Sequence, residues 1–176
     1  VRQSLNISDI NQKIAKINKA IILAPYQDVY YLNLANNYMA LANQEVTGAR
    51  NQAVIENSLS SAIDTGKKGL ALSPNNAGNS EAMALIYENA SFYVQGALEW
   101  AENLYNQAKE LSPDSPTPYL RIALINMARA NAEKDKSQQE YYINEAIKKY
   151  DLALAKKADF GAANYGKAIA YERLSK

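Results

Sequence analysis

Residues 99–113 read EWAENLYNQAKELSP, and the deciding pattern inside them is Ala101-x3-Tyr105-x2-Ala108-x4-Pro113. Steps of four and three residues place the two alanines and the tyrosine on one face of a helix. The proline closes that helix, because the residue before a proline is pushed out of the α region. The pattern returns as Ala146-x3-Tyr150-x2-Ala153-x4-Ala158, with alanine at the closing position. It returns again, degraded, as Ala62-x3-Gly66-x2-Gly69-x4-Pro74. A unit that recurs along a chain predicts stacked copies of one helical element.

Between these helices lie others of a second type. Tyr31-x2-Leu34-Ala35-x2-Tyr38, Met83-Ala84-x2-Tyr87 and Tyr119-x2-Ile122-Ala123-x2-Asn126 each set a small residue beside large ones, and Lys167-Ala168-x2-Tyr171 is a weaker copy. The two types alternate: first helices at 28–46, 78–91, 116–131 and 161–174, second helices at 49–72, 97–111 and 138–156. A further second helix covers 4–24, with Ile7, Ile10, Ile14, Ile17 and Ile21 at helical spacing, Ser4 or Ser8 as its cap and Pro25 as its stop. Asp28 suits the N-cap of the next helix, and Ser115-Pro116 suits a serine cap with proline at the first helical position. The polar stretch AEKDKSQQE, 132–140, reads as a turn and an exposed helix start.

Composition agrees with an all-α chain. Of 176 residues 48% are hydrophobic, enough for a packed core, whereas seven Gly and five Pro are too few for a loop-rich β protein. The formal charge of +1, with both signs interspersed, lacks the basic stripe that a nucleic-acid surface needs. No apolar run is long enough to cross a bilayer, so direct membrane insertion of this stretch is not expected. With no Cys there is neither disulfide nor thiolate metal site, and with no His the commonest general base and metal ligand are missing. No cofactor is implied. The compartment stays open between cytoplasm and a soluble domain at the bacterial cell envelope. A start at Val1 without a leader, and a half-repeat at each end, is what a piece of a longer protein is expected to look like.

The alternation of aromatic-x2-Leu-Ala-x2-Tyr with Ala-x3-Tyr-x2-Ala-x4-Pro resembles the tetratricopeptide repeat (TPR) family. That resemblance implies a right-handed solenoid of antiparallel helix pairs forming a single domain over 1–176: half-repeat 4–25, repeats 28–74, 77–113 and 116–158, half-repeat 161–175. The closing positions 25, 74, 113 and 158 are spaced by 49, 39 and 45 residues, against about 34 in a standard repeat. The excess lies between the two halves of the motif and stays amphipathic, as at Val54, Ile55, Leu59 and Ile63, so lengthened helices are expected rather than long loops. A second resemblance rests on Tyr30, Tyr31, Asn33 and Leu34 with Gly96, Ala97, Glu99, Trp100 and Ala101. It is similar to TPR regions of bacterial membrane proteins of the O-antigen ligase/polymerase type.

Little in the chain points to catalysis. Glu99/Glu102 and Glu133/Asp135 are the nearest carboxylate pairs, and a solvated helix face explains them better than acid–base work. The chain is therefore not expected to be an enzyme. The TPR resemblance instead implies a concave groove lined by first helices. Carried over by spacing, it includes Val29, Leu32, Asn33, Asn36 and Met39, then Glu81, Leu85 and Glu88, then Thr117, Leu120, Arg121, Leu124 and Met127, then Tyr165 and Ile169. Some TPR grooves clamp a terminal carboxylate; Asn36 and Arg121 match that pattern, but Leu32, Ala82 and Thr117 do not, which argues against a clamp. The groove is apolar, and two readings stay open: it holds a protein or peptide, such as an amphipathic helix, or it is ordinary core covered by helices or by a second copy. Tyr31, Tyr38, Tyr87, Tyr105, Tyr119, Tyr150 and Tyr171 fall at packing positions, and Tyr26, Tyr93, Tyr141 and Tyr165 are freer.

Overall fold

The computed structural model describes residues 7–48 and 50–175, and among them it contains eight helices and no strand. They are α1 (Ile7–Leu23), α2 (Asp28–Thr47), α3 (Gln52–Leu72), α4 (Ala77–Ala90), α5 (Ala97–Leu111), α6 (Thr117–Ala132), α7 (Lys136–Lys156) and α8 (Gly161–Leu174). Each expected helix is present, with ends shifted by three residues or fewer; the start expected at Ser4 lies outside the described residues. The extra length appears as helix: α2, α3 and α7 have 20, 21 and 21 residues, while α4 and α5 have 14 and 15.

Local chemistry sets the ends. Asn51 caps α3 by accepting the Val54 N–H at 3.3 Å, and Asp135 caps α7 by accepting that of Gln138 at 2.9 Å. Asp28 is not the N-cap of α2; Gln27 holds that position without a side-chain bond. Asp28 is instead the first helical residue, where it takes the Nδ2 hydrogen of Asn79 on α4 at 2.7 Å. Pro116 stands one position before α6 rather than opening it.

The chain divides into two compact units, Val1–Ala97 and Leu98–Lys176. In the first, α2 packs back along α3, α1 lies on α2, and α4 contacts both α3 and α2. Leu34, Ala35, Ile55, Leu59, Ala62, Met83, Ala84 and Ile86 form its core. Gly66 stands at the motif position that Tyr105 and Tyr150 fill elsewhere. A Cβ there would lie 2.6 Å from Met83 Sδ and 3.0 Å from Ile86 Cδ1, so α4 supplies the bulk that a tyrosine supplies in the other copies.

In the second unit α6 packs along α7, and α8 closes on both. Its core gathers Leu120, Ala123, Met127, Ile143, Ala146, Ile147, Tyr150 and Ala153. The Arg129 guanidinium ties α6 to α5, donating from Nη1 to Glu102 Oε2 at 2.6 Å, with Glu99 3.9 Å from Nη2. Lys156 reaches Asp114 at 3.2 Å, and Lys167 on α8 reaches Asp151 on α7 at 2.5 Å. Of the motif tyrosines, Tyr105 and Tyr150 are each 1% exposed; Tyr171 is an exception at 53%, with the Lys167 ammonium 5.7 Å from its ring centre.

Candidate partner-binding site

Two first helices of the second unit, α6 and α8, face each other across an open cleft of about 380 Å³. On α6 the lining residues Leu120, Leu124, Met127 and Asn131 recur at steps of four, three and four, one helical stripe. From α8 come Ala162, Tyr165, Gly166, Ile169 and Arg173, and Tyr150 of α7 lies at the floor. Depth sorts these residues: Leu120 and Met127 are 8% and 9% exposed, whereas Leu124 and Tyr165 at the mouth are 37% and 71% exposed. Burial also raises the Tyr150 phenol above its ordinary range, so it stays protonated and neutral under the cleft.

Gly166 lets α8 come this close. A Cβ at that position would sit 2.6 Å from Cζ and the hydroxyl oxygen of Tyr150, so the glycine seats the helix directly on the ring. The walls are almost wholly apolar, and Asn131 and Arg173 provide the polar groups. Such a trough can bury apolar side chains of a peptide while Arg173 and Asn131 offer N–H donors to a carboxylate or a backbone carbonyl.

The structure brings together Leu120, Leu124 and Tyr165 of the residues expected in a groove, with Met127 and Ile169 beside them. Arg121 is half-buried on α6 and does not line the cleft. In the first unit, Leu32 is buried rather than open, because α2 lies on Gly69: a Cβ on that glycine would stand 3.0 Å from Leu32 Cγ. Met39 is likewise 4% exposed. Asn33 and Asn36 are exposed on α2, and Glu81, Leu85 and Glu88 are half-buried on α4 at one helical spacing. Asn131 and Arg173 were missed by sequence reasoning, although each stands four residues beyond an expected lining residue, Met127 or Ile169.

The carboxylate pairs have structural partners. Glu102 and Glu99 hold Arg129; Glu133 Oε1 accepts the backbone N–H groups of Lys134 and Asp135; and Asp135 caps α7 and takes a hydrogen bond from Ser137. Trp100, in the first turn of α5, is 48% exposed. Among the described residues no group of three or more acidic side chains could hold a metal ion, and no helix is long and apolar enough to cross a membrane.

No family model matches the sequence, and no curated protein matches it. Solved structures do. TTC0263, a thermophilic TPR protein in Thermus thermophilus, superposes with a TM-score of 0.72 at 20% identity, over 97% of this chain and 77% of that one. The fold is the tetratricopeptide-repeat fold. MamA also superposes, with a TM-score of 0.64 at 18% identity, over 96% of this chain and 80% of that one. In tetratricopeptide-repeat terms α2–α3 and α6–α7 are helix pairs, and the cleft lies between α6 and α8, both in the second unit.

Proposed function

We propose that this chain is a non-catalytic scaffold that captures a protein partner, and that the cleft between α6 and α8 takes an apolar stretch of that partner. One observation carries the reading: Leu124 and Tyr165 stand exposed at the mouth of an open trough whose floor is Leu120, Met127 and Tyr150. An amphipathic helix laid along such a trough buries one apolar face while its polar face stays in water. Asn33, Asn36, Glu81, Leu85 and Glu88 of the first unit, and Arg121 of the second outside the cleft, are further proposed partner contacts, each taken from TPR spacing.

A photo-crosslinking amino acid at position 165 tests this. The expected outcome is one defined protein adduct from cell extract, absent when the crosslinker sits at the exposed Gln138 on α7. The Leu124→Glu substitution should abolish the adduct while far-UV circular dichroism stays unchanged. An adduct that survives Leu124→Glu places binding elsewhere. Leu120 is unsuitable for this purpose, because a charge on the cleft floor would disturb packing as well as binding.

A second reading rests on the resemblance at Tyr30–Leu34 and Gly96–Ala101: a soluble regulatory or positioning domain of a bacterial envelope glycan ligase or polymerase, whose reacting groups belong to another part of the protein. Reading the full gene decides it. An upstream array of membrane-spanning segments supports this role, and its absence removes it.

A further inference from the structure

A second apolar surface lies in the first unit, on the second helix α3 rather than on a first helix. Glu56, Leu59, Ser60, Ile63 and Asp64 recur at steps of three, one, three and one, so they share one stripe of α3. Tyr93 and Val94, from the turn that follows α4, face them across a pocket of about 270 Å³. Leu59 is buried at the base; Glu56, Ser60 and Asp64 are exposed along the rim.

The turn holds its aromatics outward. Phe92 is 91% exposed and Tyr93 43%. Yet the backbone is tied down there: the Tyr93 and Val94 N–H groups both donate to the Ala90 carbonyl at 2.9 Å, and the Ala97 N–H donates to that of Val94 at 3.2 Å. Gly96 at φ 75° lets the chain reverse there. An ordered turn thus holds a half-exposed tyrosine ring, Tyr93, at the wall of the pocket.

Charge says what kind of partner fits. Glu56 and Asp64 stand eight residues apart on α3, about 12 Å or two turns along the axis. Glu56 Oε1 takes a local hydrogen bond from Gln52, and among the described residues no ion pair is formed at Asp64. The nearest cations along α3 are Lys67 and Lys68, and Lys68 lines a different cleft with Thr65 and Tyr38. The apolar strip carries a carboxylate at either end, and among the described residues no cation lines the pocket. It complements a helix carrying apolar residues between two lysines or arginines two turns apart.

We propose that this face docks a basic amphipathic helix from a partner protein, with its apolar residues on Ile63, Tyr93 and Val94 and its cations on Glu56 and Asp64. The proposal is independent of the α6–α8 cleft. The probe is a labelled synthetic helix with leucines on one stripe and lysines at i and i+7, compared by fluorescence anisotropy with its glutamate-for-lysine counterpart. The lysine peptide should bind at least about tenfold tighter at low salt, and the preference should shrink at high salt. The double variant Glu56→Lys/Asp64→Lys, which changes only exposed side chains, should reverse the preference, and Tyr93→Ser should weaken binding several-fold with circular dichroism unchanged. Binding of neither peptide, equal binding of both, or a preference that survives the charge reversal overturns the proposal. So does loss of binding in Leu124→Glu, which would put the peptide in the other cleft. A concentration-dependent dimer in sedimentation that the charge reversal dissolves would make the occupant a second copy, and overturns it too.

Discussion

One methyl group added at Gly166 and one added at Gly66 meet different neighbours. At Gly166 the new Cβ meets the Tyr150 ring 2.6 Å away, and that ring is rigid and 1% exposed. At Gly66 it meets the thioether of Met83, the far end of a flexible side chain. Both substitutions gain about 1 kcal/mol of helix propensity, while overpacking costs about 1–3 kcal/mol where the neighbour cannot yield. Gly166→Ala should therefore lower stability by up to about 2 kcal/mol, and Gly66→Ala should cost less than that, staying within about 1 kcal/mol of the parent. Urea denaturation of both variants checks this, and equal midpoints would contradict the packing described. Sequence showed the small residues at 62, 66 and 69 but not why a glycine replaced the tyrosine. The reason lies 17 residues on, in the Met83 side chain, and no local pattern shows which distant side chain fills a gap.

Among the elements, α2 and α4 are joined through one carboxylate. Asn79 donates to Asp28, and this bond, followed by one from Ser73, holds the Asp28 carboxyl below the ordinary carboxylate range. A group whose folded-state pKa is depressed stabilises the fold above its unfolded pKa and loses that contribution as pH falls through the folded value. Asp28→Asn should thus lower the melting temperature at pH 7, and the gap to the parent should close as pH drops below the usual aspartate range. A gap that widens in acid would reverse the assignment. Asp28 also shows where sequence reading stops at this scale. A lone Asp before an apolar run reads as an N-cap, because capping chemistry is local. That its carboxylate points at α4 depends on tertiary packing 51 residues away. The helices themselves were legible, since each carries its own period and its own Ser, Asn, Gly or Pro punctuation. The open cleft was legible only in part: spacing located Leu120, Leu124 and Tyr165, but exposure depends on how closely neighbouring helices approach, which buried Leu32 and Met39.

For the whole molecule, we propose that residues 1–176 unfold as one cooperative domain, as the continuous repeat pattern implies. Calorimetry should give a single transition with matching calorimetric and van't Hoff enthalpies, and two resolved transitions would separate the two compact units instead. The same question has an optical answer already inside the protein. Trp100 is the single tryptophan of the chain, and its indole is about half in water at the start of α5. Its emission therefore comes from one known place, accessible to a collisional quencher yet partly shielded by the fold. The ultraviolet signal of the other helices is spread over all of them, whereas this one reports a single helix. Denaturation followed at the two wavelengths gives the same midpoint only when α5 opens with the rest, without a label or a substitution.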